Sequence, residues 1–218
     1  MRDLNYQFLE NNKNGIKINN KSFIYKKGKL PILISAPHAV KQVRESEIKP
    51  SDYLTGALAI NLANKCNCSY FVRICNDNDD PNFPIGETLN YIDNEYLKGL
   101  KEFVEDFDQF LVIDLHGCKD TKLADCSLWT EQCNMNIVKI FEKNFHERNL
   151  SFDNGSEYLG GQVTRQCSLI TNAFQLEVKR KIRNLKLENY YLLKSFIDSM
   201  EKSIYETYNY CIELQKKL

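Results

Sequence analysis

A chain of 218 residues with 43% hydrophobic content carries enough apolar material for one sizeable core, and a single domain over 1–218 is the expectation. Its 29 Lys and Arg balance its 29 Asp and Glu, which excludes a global field drawing it to DNA, RNA or an anionic membrane, so any charge-based function is local. The start, MRDLNYQFLENNKNG, lacks the apolar core of a secretory signal, and no run approaches the roughly 18 apolar residues of a membrane span; a soluble, cytoplasmic protein without a membrane partner is expected.

In chain order, KSFIYKKGKL reads as a small hairpin turning at Lys27-Gly28, and PILISA (31–36) as a short continuous apolar strand ending at Pro37-His38. SDYLTGALAINLANKC reads as a helix with Ser51 as N-cap and Asp52 in the first turn. SYFVRIC (69–75) is a strand, NDNDDPNFP a loop, about 86–107 a second helix and FLVIDL (110–115) another buried strand. DCSLWT (125–130) is a candidate fourth strand and MNIVKIFEKNFHERN (135–149) a helix. NGSEYLGG is rich in turn residues, AFQLEVKR (173–180) is a strand, and a long amphipathic helix runs from about 187 to 216. Apolar strands alternating with helices predict an α/β layered domain with a mixed, largely parallel sheet flanked by helices.

The eight cysteines include no Cys-x-x-Cys pair, and a chain this long needs no staples, so they read as reduced and mostly buried thiols. Cys66-x-Cys68 fits a helix end entering a strand.

In such sheets ligands bind in the crevice outside the carboxyl ends of the strands, so polar residues that end apolar strands carry the most weight. Three strands end that way: ILISAPH in His38, FLVIDLH in His116 and FQLEV in Glu177. Two of the chain's three histidines thus fall at strand ends, whereas His146 reads as a surface residue of a helix. Hydrolytic zinc takes three protein ligands from His and Asp or Glu and keeps one position open for water. His38 and His116 would be two. The third should be a carboxylate near His38: Asp52, fixed at the predicted helix start, is favoured over Glu45, which lies with Glu47 in a loop of unpredicted path. Asp114, two residues before His116 and on the same side of the strand, is a candidate to orient a ligand imidazole. Glu177 reads as a general base beside one zinc ion or another divalent metal, with Gln175 on the same strand face.

SAPHAV, VIDLHG and FQLEVKRKIR, in that order, resemble the N-formylglutamate amidohydrolase family, zinc-dependent amide hydrolases related in fold to the zinc carboxypeptidases. The resemblance spans roughly 30–190. It implies an α/β sheet with the metal at strand ends, ligands His38 and His116, and Glu177 as catalytic carboxylate. Two positions depart from the pattern: Pro-His-Ala-Val stands where Pro-His-x-Gly is common, and NDNDDPN replaces an arginine-containing segment.

Arg73, Arg165 and Arg180 are candidates to hold a substrate carboxylate bidentately, with Lys49 and Arg44 further candidates near His38. Gly160 and Gly161 would let a loop approach a substrate closely. The run KRKIRNLK (179–186) lacks interleaved aromatics and reads as a solvated face rather than a nucleic-acid site, and counting from Asp77 puts Asn82 and Thr88 where a calcium loop needs Gly and Glu. The main reading is a zinc-dependent amidohydrolase acting on a small acyl-amino-acid or peptide-like substrate. A carboxypeptidase-like or γ-glutamyl-peptide hydrolase, and a catalytically silent α/β binding module, stay open beside it; the oligomeric state is not legible.

Overall fold

Successive strand residues point to opposite faces of a sheet, and in β2 (Leu30–Ala36) both faces are covered, since Ile32, Leu33 and Ile34 are fully buried. Such strands read as continuous apolar runs rather than alternating ones. The computed structural model describes residues 15–83, 94–122, 124–155 and 160–216. Around β2 lie β1 (Phe23–Lys26), the short pair β3 (Gln42–Arg44) and β4 (Glu47–Lys49), helix α1 (Thr55–Cys66), β5 (Cys68–Arg73) and α2 (Glu95–Asp106). The chain continues through β6 (Leu111–Cys118), β7 (Cys126–Trp129), α3 (Met135–His146), β8 (Phe152–Asp153), α4 (Gln162–Ser168), β9 (Asn172–Lys179), a 3-10 turn at Leu187–Asn189 and α5 (Tyr190–Gln215).

A seven-stranded sheet has the order β1-β5-β2-β6-β9-β7-β8. Its centre, β5-β2-β6-β9, is parallel, while β1 runs antiparallel to β5 and β7 antiparallel to β9. Strand alternation sorts the core into two layers: Ile34, Ile113 and Phe174 pack with α1, α3 and α5, whereas Leu33, Val112 and Ala173 pack with α2 and α4. The mixed α/β sheet flanked by helices is the predicted class. Among the described residues no helix is long and apolar enough to cross a membrane, and Cys66, Cys68, Cys126, Cys133 and Cys167 are buried free thiols.

Three local expectations are corrected. The segment around Lys27-Gly28 is not a hairpin, because β1 pairs with β5 and not with β2; the link crosses the start of β5, where Gly28 N–H donates to Ser69 Oγ (3.1 Å). Helix α1 begins at Thr55 after a left-handed Leu54 (φ 70°), so Asp52 precedes the helix instead of lying in its first turn and Ser51 is not its cap. The second helix is described from Glu95 onward, and the part placed at 86–93 lies outside the described residues.

Candidate metal centre

Adjacent parallel strands have their carboxyl ends on the same side of the sheet, and β2, β6 and β9 bring the polar residues near those ends to one edge. His38 lies two residues beyond the end of β2, and His116 on β6 stands in register with Glu177 on β9, as Asp114 does with Gln175. Asp52 is brought there by a backbone tie, its N–H donating to the His38 carbonyl (2.8 Å).

The result is a tight group of donors. Asp52 Oδ2 lies 3.5 Å from His38 Nδ1 and 3.4 Å from His116 Nδ1, and one ligand atom from each of the three residues falls within 4.8 Å of the others. The two rings stand 4.5 Å apart at 86°. Donors about 2.0–2.1 Å from a tetrahedral ion are separated by roughly 3.3 Å, so the spacing fits one ion held by two imidazole nitrogens and a carboxylate oxygen.

Each donor is held from behind. His38 Nε2 is 2.9 Å from Asp80 Oδ1 and His116 Nε2 is 3.1 Å from Asp114 Oδ2. An imidazole that gives its Nε2–H to a carboxylate keeps the Nδ1 lone pair for the centre. Asp114 is fully buried and also accepts from Ser35 Oγ (2.6 Å) and Thr164 Oγ1 (3.1 Å). Asp80 accepts from the Asn82 N–H (2.9 Å) and from Arg44 Nε and Nη2 (3.1 and 2.7 Å). Asp52 Oδ2 accepts from the Gly117 N–H (3.0 Å). A Cβ at Gly117 would overlap the buried Arg183 guanidinium, which is tied to the carbonyls of Val178, Tyr53 and Cys118. Glycine is therefore what lets the strand pass between Asp52 and Arg183.

The field at this edge favours positive charge. Burial, and for His38 the neighbouring His116, pull the imidazoles toward neutrality, but the carboxylates of Asp52, Asp80 and Asp114 outweigh them and raise both residues above the ordinary histidine value. Burial pushes Asp52 up, yet the adjacent His116 and His38 imidazoles hold it below the usual carboxylate range.

Glu177 stands apart from this set. Its Oε1 accepts from Gln175 Nε2 (2.9 Å), while its Oε2 is buried with no hydrogen-bond partner among the described residues. Burial first, and then the Asp52 charge, push its carboxyl above the usual range. Unpaired buried carboxylate oxygens are costly, and the same residue is among those lining a cavity of about 190 Å³ with His38, Asp52, His116, Arg44 and Trp129.

Other candidates are placed elsewhere. Glu45, the alternative ligand, is exposed at the tip of the β3–β4 turn, where it and Ser46 have φ of 51° and 66°, the conformation of a two-residue hairpin loop. Lys49 pairs with Glu47 on the same hairpin (2.9 Å). Arg73 is buried and committed to Asp79 and to the Cys75 carbonyl, so it fixes the loop after β5 instead of facing the cavity. Arg165 lies 3.4 Å from Glu131, and Arg180 is exposed at the end of β9. None of these lines the cavity. The basic run after β9 is not a continuous face either, since Lys179 and Arg183 are buried and Lys181 pairs with Asp125 (2.7 Å).

Asp80, Asn82 and Trp129 adjoin the candidate site, and the sequence did not single them out. The acid-rich stretch after β5 reads as a loop by composition, and nothing in its periodicity says that Asp80 folds back on His38. Asn82 is wedged between elements: its Oδ1 accepts from the Val163 N–H (2.8 Å), its Nδ2 is 3.1 Å from His116 Nε2, and a side chain at Gly161 would overlap its amide.

No family model matches the chain, and no curated protein matches it. Among solved structures, N-formylglutamate amidohydrolase from Ralstonia eutropha JMP134 superposes with a TM-score of 0.62 at 13% identity, over 87% of this chain and 97% of that one. The gene product Atu2144 from Agrobacterium tumefaciens gives 0.61 at 10% identity, over 86% and 95%. A bacteriophage poly-gamma-glutamate hydrolase gives 0.54 at 11% identity, over 88% and 93%. At these identities what is shared is the fold, over nearly its full extent in each case.

Proposed function

We propose, from this shared fold and the donor set built on it, that the chain is a metal-dependent hydrolase of a C–N amide bond in a small N-acyl amino acid or peptide-like substrate, N-formylglutamate being the type. The observation that carries the reading is the convergence of His38 Nδ1, His116 Nδ1 and Asp52 Oδ2 beside the unpartnered oxygen of Glu177. A structural role for the two histidines would explain their hydrogen bonds to Asp80 and Asp114. It would not explain why the three faces left over point at one another, next to a carboxylate with one buried oxygen left unpartnered.

His38, Asp52 and His116 would hold the ion, zinc or another divalent metal. When bound, such an ion polarises a carbonyl oxygen and lowers the pKa of adjacent water toward about 7. The chain supplies the rest. The Glu177 carboxylate would take a proton from the attacking water and return it to the leaving amine nitrogen, and burial raises its pKa in the direction that makes it the better proton acceptor. Gln175 fixes the carboxylate by binding the other oxygen. The Trp129 ring gives the cavity an aromatic lining residue among its polar groups. The test is Glu177→Gln assayed for amine release from N-formyl-L-glutamate. It should retain the metal at wild-type stoichiometry and lose turnover by about 10²–10⁴-fold, and hydrolysis at the wild-type rate would remove Glu177 from the mechanism. The poly-gamma-glutamate hydrolase of the same fold supports a second reading, a γ-linked peptide as substrate, which alters what lies beyond the scissile bond but not the chemistry.

A further inference from the structure

The described residues lining the cavity include two carboxylates, two imidazoles, the amides of Asn82 and Gln175, and a single permanent cation, Arg44. A guanidinium has two hydrogen-bonding edges. In Arg44 the edge made by Nε and Nη2 is spent on Asp80 Oδ2 (3.1 and 2.7 Å), and Nη1 has no partner among the described residues. The plane is fixed a second time by the Phe83 ring, whose centroid lies 5.0 Å from Cζ. About a quarter of the side chain, 27%, stays accessible. Arg73, by contrast, is 1% exposed and closed off by Asp79 and Cys75, although it too is an arginine close to the loop after β5.

We infer that Arg44 is the substrate-carboxylate subsite: its free Nη1 edge receives a carboxylate of the acyl amino acid while its other edge is held by Asp80. This rests on reading the cavity as the reaction site, and it narrows the substrate to an acid. With the charges of Asp52 and Glu177 offset by the ion the site would hold, Arg44 is the one permanent side-chain cation of the described lining that can meet a substrate carboxylate away from the ion, and there it makes charge-assisted hydrogen bonds. Asp80 acts in two directions, holding His38 Nε2 with Oδ1 and aiming Arg44 with Oδ2. One carboxylate thereby sets the position of a proposed metal ligand relative to the substrate's anionic end. Arg44 is thus a specificity residue and not a participant in bond breaking.

The experiment compares N-formyl-L-glutamate with its uncharged counterpart, N-formyl-L-glutamine amide, on the full-length zinc-loaded protein. Binding is read by calorimetry on Glu177→Gln and turnover on the wild-type enzyme. The acid should bind about tenfold to a hundredfold more tightly than the amide, the range for a hydrogen bond to a charged partner. Arg44→Gln should bring that ratio below about threefold, and Arg44→Lys should restore part of it, because a point charge keeps the attraction without the planar fork. Any loosening of His38 through Asp80 changes both probes alike and leaves their ratio unaffected. Equal binding of the two probes by the Arg44-intact protein, an acid preference unchanged in Arg44→Gln, or no binding of either probe each overturns the subsite. An acid preference that depends on Arg44 without any amine release keeps the subsite and overturns the hydrolytic reading. Amine release at equal rates from both probes does the reverse.

Discussion

At the scale of single residues, the candidate centre rests on pairs in which a buried acid sits behind an imidazole ring. Asp114 gives the sharpest case, because it is fully buried and accepts from Ser35, Thr164 and His116 together. Asp114→Asn replaces one acceptor oxygen by an N–H donor facing that set, and it should weaken zinc binding by about 10–100-fold in a chelator competition. An affinity within twofold of wild type would show that the ring is held without it. His38, His116 and Glu177 can be singled out as candidates in the sequence because each lies near the carboxyl end of an apolar run, a context that periodicity identifies. Asp80 and Asn82 cannot, because a loop has no period and its path is set by contacts made only after folding. Arg73 misleads for a related reason: position and charge alone do not reveal that Asp79 and the Cys75 carbonyl take up its guanidinium.

At the scale of elements, the site is secured where β6 passes α1 and the segment after β9. Gly117 of β6 sits against Arg183 and gives its N–H to Asp52. Gly117→Ala should cost about 1–3 kcal/mol, the usual penalty for forcing atoms into a packed space, and should also lower zinc affinity by displacing Asp52. Urea unfolding monitored beside a zinc titration checks both; a substitution neutral in both would mean that Arg183 moves aside freely. The strands β2, β6 and β9 and the helices α3 and α5 follow from apolar pattern to within a few residues. The pairing of β1 with β5 does not, because a Lys-Gly turn is compatible with a hairpin or a crossing link and the choice is made by which sheet edge is open. Helix α4, Gln162–Ser168, escapes notice since seven residues are too few to display a helical period. The start of α1 is misread because Ser51 and Asp52 resemble a cap, whereas Asp52 is drawn to the His38 carbonyl and the Gly117 N–H.

At the scale of the whole molecule, an ion that binds only the folded chain must stabilise it. At a free zinc concentration 100 times the dissociation constant the gain is about 2.7 kcal/mol, or roughly 5–11 °C in Tm for a chain of this size. Thermal melts with and without zinc should show that rise for the wild type and none for His38→Ala; an equal rise in both would place the ion elsewhere. The central claim is that strands far apart in sequence deliver two imidazoles and one carboxylate to a single cation at the edge of the sheet. Anomalous scattering at the zinc edge, from crystals grown with zinc, tests it most directly. One strong peak is expected, about 2.0–2.2 Å from His38 Nδ1, His116 Nδ1 and Asp52 Oδ2. A map with no peak among those three atoms, or with the ion seated on other side chains, would contradict it.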